Sequence, residues 1–123
     1  MKDCVFCNIN NDKIIVQNDL AFAFYDEFPV NKGHMLIIPK RHVANFFDLN
    51  QEEYIAINSL VLKCKIMLDE LYRPDGYNIG VNVNEAAGQS VFHVHVHLIP
   101  RYFGDTPFPK GGVRGVISDK QSY

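Results

Sequence analysis

The chain has 123 residues, of which 47% are hydrophobic and 21% charged, a composition typical of one globular domain that excludes disordered and fibrous classes. A net charge of -2 offers no extended positive surface to a nucleic acid, and no apolar run approaches the roughly 20 residues of a membrane span. The first seven residues include an acidic group and lack the apolar stretch of a secretory signal, so we expect a cytoplasmic protein.

Two strands are predicted in the first third of the chain. Residues 20–26 and 34–38 are apolar runs, the first of them rich in aromatic side chains. The intervening Pro-Val-Asn-Lys-Gly segment, residues 29–33, has the composition of a loop. Two strands joined by so short a loop are expected to pair antiparallel.

One long amphipathic helix is predicted next. Asn50 and Glu53 have the spacing of a capping box, which marks a helix start. The helix should stop near Arg73, because the following proline cannot continue it. Apolar residues recur between these ends at steps of three and four and should face the core, the cysteine among them: Tyr54, Ile57, Val61, Cys64, Leu68 and Leu71.

Two further strands are predicted at residues 77–83 and 92–100, separated by a turn at 84–88. The order strand, strand, helix, strand, strand predicts an α+β fold with one antiparallel sheet. No repeat or linker divides residues 1–123, so we expect a single domain. From about residue 105 the chain is rich in proline and glycine, which predicts a flexible tail without regular elements.

Histidines at alternating positions mark the candidate site. His93, His95 and His97 lie in a predicted strand, so their spacing places all three on one face. The apolar residues between and after them should then face the core: Val94, Val96 and Leu98. Such a cluster, with His34 from an earlier strand, suits either a catalytic metal or a metal-free site in which one imidazole is the nucleophile.

The flanking residues favour the metal-free alternative. A hydrolytic metal site generally has an Asp or Glu nearby as general base, and none lies between Ser90 and Arg101. The turn before the histidines instead carries Gln89 and Ser90, whose side chains can hydrogen-bond phosphate oxygens or a leaving group.

The segment from Gly88 to Arg101, Gly-Gln-Ser-Val-Phe-His-Val-His-Val-His-Leu-Ile-Pro-Arg, resembles the signature of the histidine triad superfamily of nucleotide hydrolases and transferases. Members of that family also place a Cys-x-x-Cys pair, a Gly-His strand and a long helix where this chain has them. The resemblance implies a HIT-like α+β fold, with an antiparallel sheet of about five strands and one long helix, the sheet extending across a homodimer.

The resemblance implies catalytic roles for four residues. His95 would attack the α-phosphate of a nucleotide and form a nucleotidyl-histidine intermediate, which suits a neutral imidazole near pH 7. His97 would orient the neighbourhood of the nucleophile, and His34 would polarise the phosphate. Gln89, together with Ser90, would donate hydrogen bonds to phosphoryl or leaving-group oxygens.

The resemblance also implies the residues that bind the nucleotide. Asp26, eight positions before His34, would accept hydrogen bonds from the ribose hydroxyls, and Asn82 would contact phosphate or ribose. The expected nucleotide-binding set is Asp26, Asn82, Gln89, Ser90, His95 and His97. Three aromatic residues are candidates for the base pocket and equally for the core: Phe6, Phe22 and Phe24.

A structural zinc site is implied in the same way. Cys4 and Cys7 alone supply two of four ligands, and in one branch of the family two histidines complete the set. Here those histidines fall on His42 and His93, so the expected metal ligands are Cys4, Cys7, His42 and His93. Because four protein ligands leave no open position for water, this zinc would be structural and no catalytic metal is expected.

The leading hypothesis is therefore hydrolysis of a purine nucleotide conjugate at its α-phosphate. The tail and the Pro-Arg after the histidines favour a dinucleoside polyphosphate such as diadenosine tetraphosphate, with AMP as product. Ser90 and Asp26 are similar to the branch that hydrolyses purine nucleoside phosphoramidates. A non-catalytic nucleotide-binding regulatory module and a metal-dependent hydrolase are further alternatives.

Two more features of the sequence bear on assembly. Leu60 and Met67 widen the apolar arc of the helix beyond what one sheet face easily covers, which predicts a two-fold symmetric homodimer with the helix or strand 77–83 at its centre. Arg101 and Arg114 are either contacts for polyphosphate or solvated side chains, with the tail reaching toward a partner's site in the first case.

Overall fold

A five-stranded antiparallel sheet and one long helix form the fold of residues 2–123, the part of the chain that the computed structural model describes. The strands pair in the order β1-β2-β3-β5-β4, and each pair is antiparallel. This architecture confirms the predicted α+β class. The strands and the helix are β1 (Val16–Gln17), β2 (Ala21–Tyr25), β3 (Met35–Pro39), α1 (Gln51–Tyr72), β4 (Gly76–Val81) and β5 (Val96–Arg101).

Helix α1 begins and ends where the sequence predicts. The Asn50 side chain accepts a hydrogen bond from the Glu53 backbone N–H at 2.9 Å, and the Glu53 carboxylate accepts one from the Asn50 N–H at 3.0 Å. The helix ends at Arg73, which has a left-handed backbone (φ 50°) directly before Pro74. Within residues 2–123 no helix is both long and apolar enough to cross a membrane.

The main core lies between the helix and one face of the sheet. Cys64 is fully buried there, as predicted, together with Ile57, Leu60 and Leu68. Leu71, which the sequence assigned to the same stripe, is instead 58% exposed, because Tyr72 packs against the core in the last helical turn. A separate apolar stripe on the helix faces solvent and consists of Ile55, Leu62 and Ile66.

The prediction that Leu60 and Met67 extend the apolar arc of the helix beyond what the sheet covers is wrong. Leu60 is 1% exposed and Met67 is partly buried against the main core, so the chain itself covers Leu60 fully and Met67 in part. The sheet is broad enough to do so because four of its strands contact the helix. A surface that needs a partner must therefore rest on the exposed stripe and not on these two residues.

The opposite face of the sheet carries an aromatic layer. Phe22, Phe24, Leu36 and Ile38 are buried on this face, and Phe6, Ile9 and Ile14 of the N-terminal segment pack on them. The N-terminal segment therefore covers part of the sheet that the helix does not reach.

The strand predicted at residues 92–100 begins later than expected. Strand β5 starts at Val96, and His93 and His95 lie before it in irregular backbone. The pairing of β5 ends at Val96, which lies opposite Ile37 of β3 and Val81 of β4, and further along β3 the Pro39 carbonyl accepts a hydrogen bond from the His93 ring. The expected burial of the alternating residues is nonetheless confirmed for Val94, Val96 and Leu98.

The loop between β2 and β3 is fixed by a glycine next to a site residue. Gly33 has a φ of 92°, and a Cβ atom there would lie 3.0 Å from Tyr72, 3.1 Å from Pro100 and 3.2 Å from Leu68. Only glycine meets both requirements without strain or displacement of the core. Because His34 follows directly, this packing also fixes the backbone from which the His34 side chain extends.

Arg101 and Arg114, whose roles the sequence did not determine, both make contacts within the chain. The Arg101 guanidinium donates two hydrogen bonds of 2.8 Å to Asp105 and one of 2.6 Å to Asn78. The Arg114 guanidinium lies 4.8 Å from the centre of the Tyr123 ring. The tail that holds Arg114 forms two short 3-10 helices, Gly112–Val116 and Ser118–Lys120. It contains no helix or strand longer than these.

Candidate functional site

The candidate active site is a cavity of about 670 Å³ between the N-terminal segment and the aromatic face of the sheet. Five of the predicted site residues line it: Asp26, Asn82, Ser90, His95 and His97. They come from strand β5, from the ends of β2 and β4 and from the loops beside them, so the antiparallel sheet brings together side chains far apart in sequence.

His95 has the hydrogen bonding expected of a nucleophile. Its Nδ1 atom lies 2.9 Å from the His93 carbonyl oxygen, which can only accept, so the proton sits on Nδ1 and Nε2 keeps its lone pair. The side chain is buried but lines the cavity, and the Phe6 ring packs edge-on against it at 5.1 Å. The ring is therefore held in the tautomer that can attack an electrophile through Nε2.

His34 and His97 form a chain of hydrogen bonds that fixes both of their tautomers. The Val30 backbone N–H donates to His34 Nδ1 at 3.0 Å, so the His34 proton is on Nε2. That Nε2–H donates to His97 Nδ1 across 2.9 Å, which leaves the His97 proton on its own Nε2. His97 therefore presents an N–H donor on the side of its ring that does not bond His34.

The electrostatics keep these two rings neutral. Burial, with smaller contributions from His95 and His34, lowers the pKa of His97 to about 4. Burial also lowers the pKa of His34, an effect that the Asp26 carboxylate opposes. Near pH 7 both imidazoles are uncharged, so the hydrogen-bond directions inferred from the geometry hold at that pH.

Asp26 lies beside this pair of rings. Its Oδ1 atom accepts a hydrogen bond from the Phe28 N–H at 2.9 Å, and its Oδ2 atom is 3.4 Å from His34 Nε2. Asp26, His34 and His97 are close enough to resemble a metal site. A metal on His34 Nε2 would require a doubly deprotonated ring, however, because Val30 already donates to Nδ1. The three side chains are better suited to hydrogen bonding.

Gln89, like His34, is a predicted catalytic residue that does not line the cavity. Its side chain is 4% exposed, and its Nε2 atom donates to the carbonyl oxygens of Ala44, at 2.7 Å, and Val91, at 3.1 Å. Its Oε1 atom accepts from the Asn84 N–H at 2.8 Å. Both amide protons are used, so Gln89 ties three backbone segments together and in this conformation has no donor left for a phosphate.

The aromatic candidates for a base pocket divide in two. Phe6 and Phe24 line the cavity, with their ring centres 5.6 Å apart, whereas Phe22 lies beside Phe24 in the same buried layer and does not line it. The sequence offered no basis for separating them. Alternation along β2 would place Phe22 and Phe24 on the same face. Only the position of the N-terminal segment determines which of the two rings lines the cavity.

The sequence missed most of the cavity wall that comes from the N-terminal segment. Five of its residues line the cavity in addition to Phe6, and they belong to no repeating pattern: Val5, Asn8, Ile9, Asn10 and Lys13. Lys13 forms an ion pair of 2.6 Å with Glu27 at the rim. The supporting carbonyl of His93 and the donor at Val30 were also missed, since backbone groups leave no signal in side-chain composition.

The four predicted metal ligands come together at one point. Sulfur to nitrogen distances are 3.5 Å from Cys4 to His93, 3.3 Å from Cys7 to His42 and 3.5 Å from Cys7 to His93. Tetrahedral zinc, with bonds of 2.0 to 2.3 Å, separates such ligand atoms by about 3.5 Å. His93 Nε2 donates to the Pro39 carbonyl at 2.8 Å, which leaves Nδ1 as the ligand atom. The residues fit a closed structural zinc site.

Known proteins share this fold and these features. A family model described as HIT domain matches residues 8–104. The solved structure of a HIT family protein from Bacillus anthracis superimposes with a TM-score of 0.78 at 38% identity, covering 86% of this chain and 78% of that one. A Zn-bound histidine triad family protein from Mycobacterium smegmatis gives a TM-score of 0.77 at 32% identity, with 85% and 79% coverage.

A further relative is named for an enzymatic activity. AP-4-A phosphorylase of Mycobacterium tuberculosis is 32% identical over 96 residues, which are 77% of this chain and 49% of that protein. The family match spans the histidine cluster and the cavity-lining strands. Together with the solved structures it confirms the resemblance that the sequence carries: the chain belongs to the HIT domain family of histidine triad proteins.

Proposed function

We propose that this protein hydrolyses purine nucleotide conjugates at the α-phosphate, with His95 as the nucleophile. The observation that carries the proposal is the arrangement of His95, whose Nδ1 proton is held by a carbonyl while the Nε2 lone pair remains free beside the cavity. A neutral N–H donor on His97, one ring away at 5.3 Å, suits a phosphoryl oxygen.

In the first step the His95 Nε2 lone pair forms a bond to the α-phosphorus. The bond from phosphorus to the bridging oxygen breaks, and its electron pair leaves with the polyphosphate. The ring gains a positive charge, which the His93 carbonyl stabilises through Nδ1–H. In the second step water attacks the same phosphorus, the phosphorus–nitrogen bond breaks, AMP leaves and one proton goes to solvent. His95 is then neutral again.

Other cavity residues position the nucleotide. His97 Nε2–H donates to a non-bridging oxygen of the α-phosphate, and His34 keeps that donor in place. Asp26, which lines the cavity, accepts hydrogen bonds from the ribose hydroxyls. Phe6 and Phe24 supply apolar surface for the base.

The protonation state of His97 favours a polyphosphate as the leaving group. A polyphosphate departs as an anion, whereas an amine must be protonated to leave. With the pKa of His97 near 4, its ring carries no spare proton at pH 7. The similarity to AP-4-A phosphorylase of Mycobacterium tuberculosis supports the same class. The Ser90 hydroxyl at the cavity is the feature that supports the phosphoramidate alternative.

In this proposal the protein acts in the cytoplasm as a homodimer, with Cys4, Cys7, His42 and His93 holding zinc. Bound there, zinc supplies structural cross-linking between the N-terminal segment and the sheet and takes no part in the reaction. The reaction needs no further metal at the histidine cluster.

The test is parallel turnover of diadenosine tetraphosphate and an adenosine phosphoramidate by the purified protein, with and without a chelator. We expect faster hydrolysis of the tetraphosphate, and protein quenched in alkaline denaturant whose intact mass includes one adenylyl group, because a phosphorus–nitrogen bond to histidine is hydrolysed in acid. Preference for the phosphoramidate would change the leaving-group assignment. AMP binding without turnover of either substrate would establish a non-catalytic nucleotide-binding module instead.

A further inference from the structure

We propose that recognition of the nucleobase depends on the metal site, because the metal-binding loop, residues 4–7, is also a wall of the cavity. Cys4 and Cys7 enclose Val5 and Phe6, and these two enclosed residues line the cavity. A metal bound to the cysteines would therefore hold the surface against which a base packs. The inference rests on the proposed function only in taking the ligand to be a nucleotide.

Phe6 is the residue of this loop that is suited to a base. Its ring packs edge-on on Phe24 at 5.6 Å and on His95 at 5.1 Å, so its position is defined on two sides. The side chain is only partly buried and lines the cavity. An aromatic ring stacked on a base is worth about 1–3 kcal/mol in nucleic-acid recognition, which corresponds to roughly fivefold to 150-fold in affinity.

The loop is joined to the sheet chiefly at its two ends. The Cys7 N–H donates to Cys4 Sγ at 3.3 Å and the Asn8 N–H to the Cys4 carbonyl at 3.2 Å, so these backbone bonds stay within the N-terminal segment. Contact with the sheet comes from the two sulfur atoms, which face His42 and His93, and from the Phe6 packing. Loss of the metal would leave the packing of Phe6 as the main restraint on the loop.

The phosphate and ribose end of the cavity has a different support. Asp26 and His97 belong to the sheet and its connecting loop, and they are held by Phe28 and His34, neither of which is a predicted metal ligand. At this end only His95 is linked to a metal ligand, through the His93 carbonyl, so metal binding should act mainly on the base and less on a ligand that lacks one. AMP carries a base at the position where ribose 5-phosphate has a hydroxyl group. The two compounds are therefore the matched pair of ligands.

The experiment measures zinc affinity of the holoprotein by chelator competition in the presence of each ligand. Because coupling is reciprocal, a base that binds better when zinc is present must also make zinc bind better. Both ligands are supplied at equal fractional saturation, so that general stabilisation of the folded state is the same. We expect AMP to raise the apparent zinc affinity about tenfold more than ribose 5-phosphate does.

Two variants test whether Phe6 is the residue that couples base binding to metal binding. Phe6→Ala keeps all four metal ligands and should abolish the difference between the two ligands. Phe103→Ala, an exposed phenylalanine that does not line the cavity, should retain it. Calorimetric titration of the holoprotein with both ligands separates the remaining outcomes. If AMP binds but both ligands affect zinc equally, the coupling is overturned and the proposed function stands. If neither ligand binds, both are overturned.

Discussion

The Nδ1 atom of His95 and the carbonyl oxygen of His93 are joined by a hydrogen bond of 2.9 Å. His93 also directs its own Nδ1 toward Cys4 and Cys7, so one residue serves the metal site with its ring and the nucleophile with its backbone. The irregular backbone before β5 makes this possible, because the two residues are not held in the regular pleat of the sheet.

His95→Ala should abolish turnover and leave AMP binding within about tenfold of the wild type, because a nucleophile adds little to ground-state affinity. Single-turnover kinetics and calorimetry measure the two quantities. The zinc content of this variant should not change, since the His93 backbone and ring both remain. Activity above about a hundredth of the wild-type value would rule out His95 as the nucleophile.

Much of the fold followed from local signals in the sequence. Asn50 and Glu53 form the capping box that their spacing predicts, and Pro74 ends the helix. These signals act over a few residues and do not need tertiary context. The short β1 strand, Val16–Gln17, left no such signal, since two residues cannot show alternation.

The site was harder to predict where it depends on backbone groups that are distant in sequence and meet only in the folded chain. The start of β5 at Val96 coincides with the end of its pairing with Ile37 of β3 and Val81 of β4, residues distant in sequence. The role of Gln89 likewise depends on where Ala44 and Asn84 lie. The side chains that bear the chemistry were recognisable because imidazoles and thiols are uncommon, whereas the groups that orient them are carbonyls and N–H groups common to every residue.

Replacement of Cys4 and Cys7 by serine should remove bound zinc and lower the thermal midpoint, because the binding free energy of a structural metal is also folding free energy. Elemental analysis and thermal unfolding are the measurements. Cys64→Ala is the matched control, since this buried thiol is remote from the cluster and its loss should destabilise the core without loss of zinc. Wild-type protein with less than about a tenth of an equivalent of zinc would contradict the site.

The stability of the protein should fall in mild acid, partly through His97. Its pKa is about 4 in the folded protein and 6.5 ordinarily. Between these values the unfolded chain binds more protons than the folded one, so the free energy of unfolding decreases as pH falls, by up to about 1.4 kcal/mol per pH unit for one proton. Above pH 6.5 the contribution is complete.

His97→Gln tests this assignment, because glutamine can still accept from His34 and does not titrate. Chemical denaturation from pH 7 to 4.5 should give a shallower loss of stability than in the wild type. Both proteins keep the cysteine and histidine ligands of the metal site, so acid release of metal affects them equally. Parallel pH dependences would show that His97 titrates normally.

Gly33→Ala should destabilise the protein by about 1–3 kcal/mol, since alanine meets both a left-handed backbone and close contacts with Tyr72, Pro100 and Leu68. Turnover should fall as well, because the change displaces the adjacent His34. Denaturant unfolding and steady-state rates measure the two effects. Gly76→Ala is the control, as a Cβ there meets no atom within 4 Å. Equal stability of the two variants would contradict the packing argument.

An exposed apolar surface beside strand β4 supports the predicted homodimer, although the tail helix Gly112–Val116 contacts part of this strand. Strand β4 lies at the edge of the sheet, with Ile79 exposed. The Tyr77 hydroxyl donates to Asp69 of the helix at 2.7 Å, so the second half of α1 runs alongside this edge. Leu62 and Ile66 are exposed on that part of the helix. A strand edge next to an apolar helix face suits a two-fold axis, where each copy presents the same surface.

The wild-type protein should scatter light as a species of about twice the monomer mass at micromolar concentration. Ile66→Glu places a charge in the proposed interface and should shift the protein to monomer, whereas Leu71→Glu, also exposed but on another side of the helix, should leave the dimer intact. Helical circular dichroism checks that both variants fold. A wild-type monomer would overturn the dimer, and with it the approach of the tail to a neighbouring site. A dimer unaffected by Ile66→Glu would place the two-fold axis at some other surface.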